Sequence, residues 1–152
     1  KSASGSHHFL SVTTEGKSAI FSTSGNPYCH TILRGGSNKI NYDEKSIDDV
    51  SARLDKAGLS QQIIVDCSHA NSLKDHKKQM IVVEDLANQL KNGEKRIKGL
   101  MIESNLVEGN QNINDNKLVY GKSVTDACIG WEDTEKALYT LSEAIEKRKS
   151  NA

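Results

Sequence analysis

One pattern recurs three times along this chain and limits the folds open to it: a short apolar run, a polar residue at its end, and an amphipathic helical stretch. His30 to Leu33 runs into Arg34-Gly35-Gly36. Ile63-Ile64-Val65 runs into Asp66-Cys67-Ser68-His69, and Ile97 to Ile102 runs into Glu103. The intervening stretches keep helical spacing. Ile47, Val50, Leu54 and Ala57 form the first apolar stripe, with Ser46 expected as N-cap and Gly58 as the stop. Met80, Val83, Leu86, Ala87 and Leu90 form the second, closed by Asn92-Gly93. Ala137, Leu138, Leu141, Ala144 and Ile145 form the third, in a helix expected to start near Asp133 or Thr134 and to end on Lys147-Arg148-Lys149. Strands buried on both faces and alternating with helices imply an α/β fold with a parallel sheet covered by helices.

Two segments stand outside the pattern. Phe9 to Thr13 and Ala19 to Thr23 flank Glu15-Gly16-Lys17 and read as a β-hairpin over residues 8–24. Ser104 to Thr125 reads as a long polar loop. A (β/α)8 barrel takes about 250 residues, and this chain has 152. The pattern therefore fits either a small open α/β sheet or part of a barrel whose other strands lie elsewhere.

Charge excludes some functions. Lys plus Arg total 20 and Asp plus Glu total 20, so there is no basic excess for nucleic acid or for a membrane surface. No apolar run approaches the roughly 20 residues of a spanning helix. Cys29, Cys67 and Cys128 are odd in number and widely spaced, which argues against a disulfide framework and points to a reducing, cytoplasmic setting. No glycine-rich nucleotide motif is present.

In parallel α/β folds the C-terminal ends of the strands open on one face, where the chemistry sits. Arg34, Asp66, His69 and Glu103 occupy such ends, and Asp126 lies between the long loop and the last helix. His69, Glu103 and Asp126 offer one imidazole and two carboxylates, a set suited to Mn²⁺, Fe²⁺, Co²⁺ or Zn²⁺. Arg34 offers a planar fork for a phosphate. Ordinary alternatives exist for each taken alone: a surface ion pair for Arg34, a turn cap for Asp66, a half-buried histidine for His69, solvated acids for Glu103 and Asp126. His7, His8, His30 and His76 have no comparable placement and read as structural or surface residues.

At these positions the sequence resembles the type I 3-deoxy-D-arabino-heptulosonate 7-phosphate (DAHP) synthases. The segments that carry the resemblance are Ile32 to Gly36, Asp66 to Ser72, Met101 to Gln111 and Tyr120 to Glu132. It implies a TIM barrel of which residues 1–152 supply strands six to eight, their helices and the inserted hairpin. It implies that His69, Glu103 and Asp126 are three of four metal ligands, the fourth being a cysteine at the end of the first barrel strand. Cys67 is not a substitute, because it neighbours Asp66 on a strand whose side chains alternate. Arg34 matches an arginine that binds the phosphate of phosphoenolpyruvate. Asp66 and His69 are the expected catalytic pair, with Asp66 orienting His69 or a water.

The implied reaction is an aldol-like condensation of phosphoenolpyruvate with erythrose 4-phosphate, the first step of the shikimate pathway. The resemblance also implies an aromatic amino acid effector bound near Phe9, Ser11 and Phe21, a homodimer or homotetramer, and no activity for these residues without the N-terminal half of the barrel. Two rivals are a non-catalytic, effector-binding regulatory fragment and the related synthase that uses arabinose 5-phosphate.

Overall fold

The computed structural model describes residues 1–37 and 39–150. Its centre is a three-stranded parallel sheet in the order β3-β4-β5, formed by Thr31–Leu33, Ile63–Asp66 and Ile97–Met101. Ile63 and Val65 of the middle strand are fully buried, as expected for a strand covered on both faces. Three helices follow the strands in turn: α1 (Glu44–Lys56), α2 (Gln79–Lys91) and α3 (Trp131–Ser150). Leu33, Ile47, Val65, Val83, Leu86, Leu90 and Ala137 belong to one continuous core between sheet and helices. The α/β reading thus holds. The sheet is open, with β3 and β5 at its edges.

A separate antiparallel hairpin, β1 (His7–Val12) and β2 (Ser18–Thr23), precedes the sheet, with Phe9 opposite Phe21. Gly16 occupies the positive-φ position of its turn at +77°, a conformation costly for other residues.

Several expectations shift. Helix α1 is capped by Asp43: its carboxylate accepts the Ser46 N–H at 3.0 Å and the Ser46 hydroxyl at 2.7 Å. Ser46 is therefore the partner of the cap, because a carboxylate three residues upstream can take both of its donors. Helix α3 starts at Trp131, ahead of Asp133 and Thr134. The Thr134 N–H and hydroxyl both bond to the Gly130 carbonyl (3.1 and 2.8 Å), which begins the helical ladder there. Leu138 lies on the expected stripe but is 57% exposed; it borders an open apolar groove with Leu100, Leu141 and Ile145.

The polar loop from Ser104 to Thr125 contains a further strand pair. Strands β6 (Val107–Asn110) and β7 (Lys122–Ser123) run parallel. The Gln111 side chain stitches the excursion between them, donating to the Val119 and Lys122 carbonyls and accepting from the Val119 N–H. Backbone bonds link this segment to the end of the sheet: Ile129 N–H donates to the Glu103 carbonyl, and Asn105 N–H to the Ile129 carbonyl. These links return Asp126 toward the strand ends.

Candidate metal centre

The C-terminal ends of β3, β4 and β5 open onto one cleft of about 340 Å³, bordered by Arg34, His69, Glu103 and Asp126. Ligand-type atoms of His69, Glu103 and Asp126 all lie within 4.8 Å of one another. His69 Nε2 is 3.4 Å from Glu103 Oε1. The three residues come from three separate stretches of chain, and the fold brings together the set that their positions suggested.

Asp66 organises this face. It is 2% exposed. Its Oδ1 accepts the Ser68 N–H at 2.9 Å and the Ser68 hydroxyl at 2.6 Å; its Oδ2 lies 2.9 Å from His69 Nδ1. An imidazole whose Nδ1–H is held by a carboxylate presents the lone pair of Nε2. That lone pair then faces the Glu103 carboxylate, another acceptor. Two acceptors 3.4 Å apart, with a second acid close by, form an arrangement that a cation completes. His69, Glu103 and Asp126 thus fit a divalent ion by donor type and by spacing.

The electrostatics agree. Burial raises the Glu103 carboxyl above its ordinary range. His69 opposes that shift, Asp126 and Asp66 reinforce it, and Arg34 opposes it. A bound cation would reverse the balance. Cys67 is fully buried and its thiol is pushed up to about 12 by burial, with the Asp66 charge adding to the effect. It is absent from the ligand cluster, in keeping with the alternation argument.

Arg34 stands at the rim. Its side chain is 62% exposed, and Nε is 3.9 Å from Asp66 Oδ2. Such a loose pair contributes little to stability and leaves the guanidinium free to meet an anion. The loop behind it is fixed by two asparagines. Gly35 N–H donates to Asn41 Oδ1 (2.7 Å), and Asn41 N–H donates to Asn71 Oδ1 (2.8 Å). Asn71 in turn donates to the Leu33 and Asp66 carbonyls (3.2 and 2.8 Å). One buried amide therefore ties the ends of β3 and β4 to the Arg34 loop.

The segment after β4 is strained. His69, Leu73 and Lys74 have φ of +54°, +54° and +61°, a region that costs about 1–2 kcal/mol for a residue with a Cβ. Such strain gathers at functional sites. Sequence reasoning missed four residues here: Ser68, Asn71, Gln79 and His76. The first three are polar side chains buried to 3% exposure or less, a burial that spacing alone does not reveal. His76, read as structural or surface, also borders the cleft, and its Nε2 contacts Glu108 at 2.9 Å.

A second cleft, of about 420 Å³, lies near the N-terminal end of β5, between Glu44, Gln89 and the 92–96 turn. Two of its charged residues are paired: Arg96 Nε donates to Glu94 Oε1 at 2.9 Å, and a terminal nitrogen of Arg96 donates to Asp48 at 2.7 Å. It has the character of a structural rim. On the hairpin, the Phe9 and Phe21 rings stack with centroids 5.9 Å apart at 14°. They remain 50% and 38% exposed. Ser11 follows Phe9 by two positions and so shares their face. Among the described residues no helix is long and apolar enough to cross a membrane.

Comparison with known proteins gives a consistent result. Residues 1–139 match the model of the DAHP synthetase I family. The chain is 54% identical, over 94% of its length, to the Phe-sensitive phospho-2-dehydro-3-deoxyheptonate aldolase of Escherichia coli, of which it covers 41%. It is 46% identical, over 98% of its length, to the phenylalanine-inhibited enzyme of Saccharomyces cerevisiae, of which it covers 42%. Among solved structures, the phospho-2-dehydro-3-deoxyheptonate aldolase of Francisella tularensis superposes with a TM-score of 0.92 at 50% identity. That match takes in 97% of this chain and 43% of the other. The chain thus spans about two fifths of the length of the relatives it matches.

Proposed function

This chain belongs to the DAHP synthetase I family, and we propose that it forms the C-terminal part of a metal-dependent DAHP synthase. In this reading β3, β4 and β5 are strands six to eight of a (β/α)8 barrel, and the 8–24 hairpin is a regulatory insertion. The observation that carries it is the convergence of His69, Glu103 and Asp126 to within 4.8 Å beside Arg34.

The reaction joins phosphoenolpyruvate to erythrose 4-phosphate. C3 of the enol phosphate forms a bond to the aldehyde carbon, water adds at C2, and phosphate leaves with cleavage of its C–O bond. His69, Glu103 and Asp126, with a cysteine from the rest of the barrel, would hold the divalent cation. When bound, that cation supplies Lewis-acid polarisation of the aldehyde. Arg34 takes the phosphate of phosphoenolpyruvate through its planar fork and fixes the enol geometry. Asp66 keeps the Nδ1 proton on His69, so that Nε2 stays a ligand. The acids of the cleft balance positive charge developing at C2.

Regulation is proposed on the hairpin. An aromatic amino acid effector would meet the partly exposed face of Phe9, Ser11 and Phe21; the names of the E. coli and yeast relatives record sensitivity to phenylalanine. The full-length protein would act in the cytoplasm as a homodimer or homotetramer.

The test is made on the full-length protein. It is expected to consume phosphoenolpyruvate with erythrose 4-phosphate, to prefer that aldose over arabinose 5-phosphate, and to lose turnover on chelation and in H69A. Turnover unaffected by both chelator and H69A would overturn the reading. Inhibition assays with phenylalanine, tyrosine and tryptophan test the hairpin, and insensitivity to all three removes the regulatory part alone.

A further inference from the structure

The pairing between β4 and β5 ends at Asp66 opposite Met101, with Cys67 N–H donating to the Met101 carbonyl at 2.8 Å. Glu103 lies two residues beyond, where β4 no longer pairs with it; its other edge is held by the parallel bridge between Ser104 and Ile129. A side chain from another element takes the place of β4 there. Gln79, the first residue of α2, is fully buried. Its Oε1 accepts the Glu103 N–H at 2.8 Å, and its Nε2 donates to the Glu103 carbonyl at 3.1 Å. The same carbonyl accepts the Ile129 N–H at 3.0 Å.

A primary amide is the one uncharged side-chain group that reproduces both halves of a peptide edge. Its flip state is fixed here, because only one orientation satisfies the N–H and the carbonyl together. The Glu103 side chain remains 30% exposed while its backbone is pinned from both sides.

We propose that Gln79 is a positioning residue for the cation site: its amide clamps the Glu103 backbone and thereby aims the Glu103 carboxylate at His69 and Asp126. The proposal rests on the metal-centre reading above. Gln79 adds no ligand of its own. It governs how tightly the cation is held by fixing the edge of the Glu103 backbone that β4 leaves unpaired, opposite the edge held by Ile129. Ligand-orienting contacts of this kind typically change metal affinity by about 10- to 100-fold.

The experiment measures Mn²⁺ dissociation constants in the full-length protein, by calorimetry and by the free-ion EPR signal, for wild type, Q79M, Q79E and I47A. Q79M keeps the length of the side chain and removes both bonds, so affinity should fall by about tenfold or more. Q79E keeps the acceptor for the Glu103 N–H and loses the donor, and should fall between Q79M and wild type. I47A opens the core on α1, where Ile47 is fully buried; it should lower the melting temperature and leave the Mn²⁺ constant unchanged. Bound Mn²⁺ in Q79M should also show a broadened EPR spectrum, a change that a general loss of stability does not produce.

If Q79M does not fold, Q79E carries the test. A constant within about twofold of wild type in the folded variant overturns the proposal while leaving the metal centre intact. Failure of the wild type itself to bind Mn²⁺ would instead overturn the metal-centre reading on which it rests.

Discussion

The buried carboxylate of Asp66 holds His69 Nδ1 at 2.9 Å, and it does so from the end of the same strand that delivers His69 to the cleft. Asparagine at this position keeps the shape but carries one acceptor oxygen where aspartate has two. Asp66 uses both, one for Ser68 and one for His69. In D66N one of these bonds is lost, and an amide N–H turned toward His69 would favour the tautomer with its proton on Nε2. Mn²⁺ affinity of the full-length protein should drop about 10- to 100-fold, as read by calorimetry. An unchanged affinity would show that Asp66 does not set the imidazole tautomer.

Gly35 should tolerate no side chain. Its φ is +71°, and a Cβ there would lie 2.7 Å from the Lys39 carbonyl oxygen, 2.9 Å from Ala70 Cβ and 3.0 Å from Asn71 Oδ1. Two of these neighbours are fixed, one as backbone and one through the Asn71 bonds to Leu33 and Asp66. G35A should therefore displace the Arg34 loop and cost about 1–3 kcal/mol of stability. The KM for phosphoenolpyruvate should rise by about tenfold, with a smaller change in kcat. Denaturant melts and steady-state kinetics measure the two effects; a wild-type KM would disconnect the loop from phosphate binding.

Much of this was legible in the sequence because periodicity reports burial. Ile63, Val65, Val83, Leu86 and Leu90 were expected inside and are inside. The strand-end rule selected Arg34, His69 and Glu103 for one face, where they border one cleft. The parts that escaped are those where polar atoms replace apolar ones in the interior. Gln79, Asn71 and Ser72 are buried through bonds to backbone, and periodicity treats such residues as surface. Strands β6 and β7 escaped because four- and two-residue segments rich in polar side chains are too short to carry an alternation. The start of α1 was misplaced because Asp43 and Ser46 are both good caps, and only the bonds decide between them.

Glu94 gives the pH dependence a definite sign. Hydrogen bonds from the Arg96 side chain are the main cause that holds its carboxyl below the ordinary value; burial opposes them, and the Arg96 backbone bond and charge assist. A carboxyl depressed in the folded state binds fewer protons there than in the unfolded chain. Its contribution is complete above the unfolded value and is lost as pH falls through the lower, folded value. Stability of the wild type should thus decline below about pH 4.5, and E94Q should flatten that acid limb while lowering stability at neutral pH by about 1–2 kcal/mol. The Arg96 cluster lies near the opposite end of β5 from the cleft, so Mn²⁺ affinity should stay unchanged in E94Q. Chemical denaturation at a series of pH values tests the sign; an acid limb equally steep in both proteins would refute it.

The last prediction concerns residues 1–152 taken alone. Strands β3 and β5 are the edges of an open sheet, and exposed edges pair with whatever strand they meet. Beside β5, the groove bordered by Leu100, Leu138, Leu141 and Ile145 is apolar and uncovered, and the Leu10 and Ile20 side chains of the hairpin are 74% and 75% exposed. A chain with this much unpaired edge and apolar surface should associate with itself in solution. Among the described residues the proposed centre has three ligands, and its cleft is bordered by one arginine for two phosphorylated substrates. The purified 152-residue chain should therefore show no DAHP formation with any of the four candidate metals, and light scattering should show mixed oligomers. Mixing it with the N-terminal half of the barrel, expressed separately, should restore metal-dependent turnover if the halves reassemble across β3 and β5. Turnover by the 152 residues alone would mean that the three ligands and Arg34 suffice, and the need for the remaining strands would fall.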